Sequence, residues 1–194
     1  MRGKGRRPFM AALRAGLPGW PMAIGGALAW GAILLASAAL TLFLRGWAPA
    51  DMPPPLMIFF FGGAAAFPLA LWLAGILDHW LGFRRGQRFA AVFVLLGVGS
   101  VGVTALIFSQ VFRHYFAEFH APFASRQWVV ETVFTTAAAI YHFLVNGLRL
   151  FVPLGLPALA ATAFLLARRP KLSNPPPGAN STHPQEPPKD RFSR

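Results

Sequence analysis

The chain has 194 residues, of which 55% are hydrophobic and 12% are charged, and it contains no cysteine. An average soluble domain is about 25% charged, so the composition is not that of a large soluble domain. The lack of cysteine excludes disulfides, thiolate metal sites and thiol nucleophiles. The net charge of +12 does not indicate nucleic-acid binding, because the basic residues flank apolar runs instead of clustering on one folded surface.

Four apolar runs dominate the sequence, at residues 24–44, 56–77, 89–108 and about 150–167. An α-helix rises 1.5 Å per residue, so each run is long enough to cross about 30 Å of hydrocarbon. The sequence therefore predicts an all-α integral membrane protein. Its membrane domain, residues 24–168, has four transmembrane helices and an amphipathic helical segment between the third and fourth spans.

The distribution of basic residues predicts the orientation of these spans. Of the 18 Lys and Arg residues, 14 lie in three places. These are the N-terminal segment 1–23, the joint 78–88, and the tail 169–194 together with Arg168 just before it. The joints 45–55 and 109–149 contain the other four. Lys and Arg are retained on the cytoplasmic side. Both termini are therefore predicted to be cytoplasmic, which four spans allow.

The first run could also be interpreted as a cleaved signal peptide, because it follows a basic segment and contains Ala36-Ser37-Ala38. The run continues for about 21 residues, however, whereas the apolar core of a signal peptide has 7–15. A retained first helix is the better interpretation. The N-terminus also has a loose likeness to an organelle presequence, but it lacks Ser, and a bacterial inner (plasma) membrane is the simpler prediction.

The second run contains a stripe of small residues at intervals of four, namely Gly62, Ala66, Ala70 and Ala74. Residues four apart share one face of a helix, and small residues allow membrane helices to approach closely. We predict that this stripe is a helix-packing face. The alternative is that an alanine-rich chain produces the spacing by chance.

The third run contains a literal G-x-G-x-x-G motif at residues 97–102. A dinucleotide site requires a strand before this motif and water around the pyrophosphate. Here the motif lies in the middle of an apolar run of 20 residues. We therefore interpret it as small residues for close helix packing, and the sequence predicts no cofactor.

The joint at 109–148 is predicted to form external amphipathic helices. In its first part, aromatic residues recur at helical spacing opposite polar ones, and Pro122 marks the end of the pattern. A helix of this kind lies in the membrane–water interface. The aromatic residues of the pattern are Phe112, Tyr115, Phe116, Phe119 and Phe123.

The second part of the joint, from about residue 126 to 148, carries a polar stripe of Glu131, Thr135, His142, Asn146 and Arg149. Their spacing keeps them on one face of a helix. The stripe is either the water-facing side of a helix on the membrane, or the lining of an outward-facing cavity or subunit interface.

The helical pattern then continues into the fourth run. From Glu131 to Ala167 it covers 37 residues, or about 55 Å, nearly twice the hydrocarbon thickness. Such a helix either projects outward or breaks, and the candidate breaks are Asn146-Gly147 and Pro153. Broken helices with polar residues at the break form solute sites in transporters.

A metal site is a weaker prediction for the same joint. His114 and Glu118 are four residues apart, and His120 joins them only if the helix frays before Pro122. Three nitrogen and oxygen donors suit a zinc-type site. No tight spacing motif accompanies them.

The segment 169–194 is rich in proline and has almost no large apolar side chains, which predicts a disordered cytoplasmic tail. Taken together, these features favour a non-catalytic accessory or assembly subunit of a membrane complex. The expected partners are the lipid bilayer and another membrane protein or a second copy. The alternatives are an oligomeric small-solute transporter or channel subunit and, third, an interfacial membrane enzyme.

Overall fold

The computed structural model describes residues 9–116 and 121–168, and within them the fold is all-helical with no strand. The predicted tail at 169–194 and the first eight residues of the basic N-terminus lie outside the described residues. The helices are α1 (Phe9–Ala15), α2 (Trp20–Leu44), α3 (Pro53–Leu81), α4 (Arg85–Tyr115), α5 (Arg126–His142) and α6 (Leu148–Arg168), with a 3-10 turn at Pro49–Asp51 and a π-helical segment at Phe143–Gly147.

Within residues 9–116 and 121–168, four continuous helices are long and apolar enough to cross a membrane, as the four runs predict. They are α2, α3, α4 and the 43-residue helix Arg126–Arg168, in which α5, the π-helical segment and α6 follow one another without interruption. At 1.5 Å per residue, this last helix is about 64 Å long and α4 is about 46 Å long. Both are longer than the predicted spans, because their polar ends continue the helix.

Helices α2, α3, α4 and α6 form a bundle in which each helix packs against two others, in the ring order α2, α3, α4, α6. The short helix α1 packs against α3, and the main neighbour of α5 outside its own helix is α4. The bundle core is formed by aliphatic and aromatic side chains from all four helices, among them Trp30, Leu34, Phe59, Leu96, Phe151 and Leu159.

The connection between α3 and α4 is a tight turn fixed by Asp78. Helix α3 ends at Leu81 and is followed by Gly82, whose φ of 65° is left-handed and therefore favours glycine. The Asp78 carboxylate accepts hydrogen bonds from the Phe83 backbone N–H at 2.9 Å and from Arg88 Nη2 at 3.0 Å. This turn makes α3 and α4 antiparallel neighbours.

The four members of the small-residue stripe on α3 are buried in the bundle: Gly62, Ala66, Ala70 and Ala74. A Cβ atom at position 62 would lie only 2.8 Å from Thr104 Cβ and 2.9 Å from Thr104 Cα of α4. The next residue, Gly63, lies against Leu34 and Gly31 of α2. Glycine thus lets α3 approach both neighbours closely.

Hydrogen bonds from polar side chains join helices that are far apart in sequence. The Ser37 hydroxyl of α2 donates to the Leu150 carbonyl of α6 at 2.7 Å and accepts from the Leu154 N–H at 3.2 Å. The Trp72 indole of α3 donates to the Leu13 carbonyl of α1 at 3.0 Å. In an apolar surrounding such bonds are needed, because an unpaired polar group there is costly.

Two details differ from the sequence predictions. Residues 109–115 do not form a separate helix but continue α4, and Phe112 in this extension packs against His142 of α5. The long fourth helix does not break at Pro153, which lies inside α6. The other candidate break, Asn146-Gly147, falls within the π-helical segment.

We expect Gly62→Ala to lower the free energy of unfolding by about 1–3 kcal/mol, because its methyl group would collide with Thr104. Gly25→Ala is the matched control: a Cβ there meets nothing within 4 Å, and alanine gains about 1 kcal/mol of helix propensity. Thermal unfolding measured in detergent should therefore give a lower Tm for Gly62→Ala and no decrease for Gly25→Ala. Equal Tm values would contradict the packing described for α3.

Candidate functional site

The candidate site is the hairpin formed by the end of α4 and by α5. A row of aromatic rings connects it to the bundle: Phe59 lies 4.8 Å from Phe151 and 6.0 Å from Phe143 between ring centroids. Phe143 lies 5.8 Å from Phe108, which in turn lies 6.0 Å from Phe112. Pairs at these separations attract one another beyond their apolar burial. The base of the hairpin is thus packed onto the bundle core.

The π-helical segment is the point where α5 leaves the bundle. Phe143 begins the segment and is buried, and Gly147 ends it with its Cα facing the Phe143 ring. A Cβ at position 147 would lie 2.7 Å from that ring, so glycine is needed for this packing. Short π-helical segments of this kind are rare in helices and frequent at functional sites.

A cavity of about 510 Å³ lies between the end of α4 and α5. Within it, Glu131 accepts hydrogen bonds from the Ala121 backbone N–H and from Gln127 Nε2, both at 2.9 Å. The carboxylate therefore ties the backbone at Ala121 to α5. The lining residues are Phe112, Phe116, Val130, Glu131, Phe134, Thr135 and Ala138.

The structure brings together only part of the predicted polar stripe. Glu131 and Thr135 line this cavity. His142 is exposed, with its ring 6.4 Å from that of Phe112. Asn146 and Arg149 are exposed further along the helix, in the π-helical segment and at the start of α6. The five side chains do not converge on one cavity, and a role for the stripe stays a prediction.

The predicted metal ligands are only partly described. His114 is exposed near the end of α4, whereas Glu118 and His120 lie outside the described residues. Among residues 9–116 and 121–168, no group of three His, Asp or Glu side chains is close enough to hold a metal ion.

The most distinctive feature of the hairpin is the apolar surface of α5. Ala139 is the one residue of α5 that is buried. Val133 is 60% exposed and Phe134 is 71% exposed, and Val129, Val130 and Tyr141 are also exposed. Sequence periodicity shows that this helix has an apolar side, but it does not show that the side stays largely exposed. The signal available in the sequence was the excess length of the helix.

No family model, curated protein or solved structure matches this chain.

We expect Glu131→Ala to release the backbone near Ala121, because the Ala121 N–H loses its carboxylate acceptor. A partly exposed bond to a charged group is worth about 1 kcal/mol, so amide exchange at this position should be about fivefold faster. Hydrogen exchange measured by mass spectrometry tests this. Glu131→Gln keeps an acceptor oxygen and should keep most of the protection, while unchanged exchange in Glu131→Ala would contradict the assigned contact.

Proposed function

We propose that this chain is a multi-pass protein of the bacterial inner membrane, with both termini cytoplasmic, and that it serves as a non-catalytic accessory or assembly subunit of a membrane complex. The observation that supports this role is the exposed apolar face of α5. The four candidate spans and the 14-to-4 distribution of basic residues support the membrane placement.

The length of the fourth helix supports a projecting hairpin. The helix Arg126–Arg168 is about 64 Å long, roughly twice the hydrocarbon thickness. Its α6 part packs beside α2 and α4 in the bundle, whereas α5 has α4 as its main neighbour outside its own helix. With α6 crossing the membrane, a large part of α5 extends past the outer surface and carries its apolar side chains with it.

The spacing of the exposed residues on α5 suits the docking of a helix into a groove. Arg126, Val129, Val130, Val133 and Phe134 stand at positions i, i+3, i+4, i+7 and i+8, and all five are exposed. This is the spacing by which amphipathic helices bind apolar grooves. Removing a Val or Phe side chain from water is worth about 1.5–3 kcal/mol. A partner with an apolar groove and an acidic group facing Arg126 fits this face.

The orientation is tested by cysteine labelling, for which this cysteine-free chain is suited. Phe123 and Gly86 are both exposed, at the hairpin and at the start of α4 respectively. In intact spheroplasts, a membrane-impermeant maleimide should label Phe123→Cys, and it should label Gly86→Cys only after the membrane is disrupted. The reverse labelling would overturn the proposed orientation.

The role as a subunit is tested by the mass of the complex extracted from native membranes. We expect the wild-type chain to elute well above its own 21.0 kDa plus detergent. The double variant Val133→Ser/Phe134→Ser should recover about tenfold less partner, as expected when anchor side chains are lost.

The matched control is Phe61→Ser/Leu165→Ser, which changes two apolar side chains of similar exposure on α3 and α6. It should leave the complex intact. A wild-type chain that purifies as a lone monomer, or equal losses in both double variants, would contradict the proposal.

A further inference from the structure

A second cavity, of about 470 Å³, lies in the bundle between α2, α4 and α6. It is at mid-height, since it is lined by residues from the middle of α2 and α4. Val98 is 68% exposed and Gly102 is also exposed, so the cavity opens to the outside of the bundle as a groove. Its lining, apart from Ser100 and the indole N–H of Trp30, is apolar: Trp30, Leu34, Phe93, Val94, Gly97, Val98, Ser100, Val101, Gly102, Phe151, Gly155, Leu156 and Leu159.

The groove exists because glycine stands where a side chain would fill it. Gly97 and Gly102 come from the G-x-G-x-x-G motif of α4, and Gly155 comes from α6. A Cβ built at Gly102 meets nothing within 4 Å, so this part of the groove is open space. A Cβ at Gly155 would lie 3.5 Å from Leu34 Cδ2, which marks the floor.

One polar group at the floor of this groove points to a ligand. Ser100 is only 2% exposed, and its Oγ accepts a hydrogen bond from Trp30 Nε1 at 2.8 Å. The Ser100 carbonyl is also occupied, since it accepts from Thr104 Oγ1 at 2.6 Å. Among the described residues, Trp30 Nε1 is the one hydrogen-bond partner of Ser100 Oγ, so the hydroxyl can still donate to a further acceptor. Buried donors are usually partnered, and Trp30 has no acceptor to offer.

We propose that the groove binds an uncharged, membrane-soluble molecule with an apolar body and one carbonyl oxygen. The body fills the space left by the glycines, and the carbonyl oxygen accepts the Ser100 proton while Trp30 holds the hydroxyl in place. The ligand is uncharged because the lining contains no charged residue and a charge at this depth is expensive. The volume lies within the range of small-molecule sites, about 300–1,000 Å³.

This proposal rests on the membrane placement argued above and is independent of the docking role of α5. The test uses the full chain in phosphatidylcholine nanodiscs and a benzoquinone with a decyl chain as the probe. Quinones quench indole fluorescence, and Trp30 lies in the groove. We expect the quinone to quench the indole fluorescence in a saturable way. Decylbenzene, which has the same chain but no carbonyl, should displace the bound quinone poorly.

Two variants test the two parts of the site. Ser100→Ala should weaken quinone binding about fivefold, the loss expected for one hydrogen bond. Gly102→Leu should abolish saturable quenching, because leucine fills the groove without meeting a protein atom at its Cβ. Gly25→Leu is the matched control, since it adds the same side chain to α2 where a Cβ also meets nothing within 4 Å.

Quenching that does not saturate would overturn the proposal. Equal quinone binding by Gly102→Leu and Gly25→Leu would also overturn it. So would a result in which decylbenzene binds as tightly as the quinone, because the groove would then hold hydrocarbon chains only. Each variant is first checked for nanodisc incorporation and Tm. A chain that inserts with the expected cysteine labelling but binds no quinone disproves this site alone, whereas wrong labelling disproves the membrane orientation.

Discussion

The arrangement of the helices depends on the contact between the Ser37 hydroxyl and the backbone of α6. Pro153 has no N–H, so α6 loses one of its own hydrogen bonds at this turn. The Ser37 hydroxyl donates to the Leu150 carbonyl and accepts from the Leu154 N–H, two backbone groups of α6 that lie four residues apart beside Pro153. One fully buried side chain therefore supports a proline-containing turn and fixes the height of α6 against α2.

Once α6 is fixed, two other features follow. Gly155 is placed over Leu34, and the groove between α4 and α6 has a defined floor. The excess length of the fourth helix can appear only at the other end, where α5 extends along the end of α4. The aromatic contacts of Phe143 with Phe59 and Phe108 then support the base of this extension. The groove and the hairpin are thus two results of the same constraint.

The all-helical fold and its four candidate spans could be predicted from the sequence, because a long apolar run indicates a helix whatever its neighbours are. The sequence also located the region between the third and fourth runs, where the helical pattern is too long for a single membrane crossing. It did not predict that residues 109–115 continue α4, because a helix end is decided by contacts with α5 that periodicity does not contain. Likewise, the partners Ser37 and Leu150 are 113 residues apart, and Trp30 and Ser100 are 70 apart. Only the packed structure shows such pairs.

Because α5 is joined to the bundle at the π-helical segment, a small tilt there moves the far end of α5 by a larger distance. The helix α5 is 17 residues long, or about 25 Å, so a tilt of about 10° at its base displaces its tip by about 4 Å. The base is held by Phe143 packed on Gly147, whereas the sides of the helix are largely exposed. A load applied to the outer end of α5 is therefore transmitted to the bundle at Phe143, one ring contact away from Phe151 in the wall of the groove.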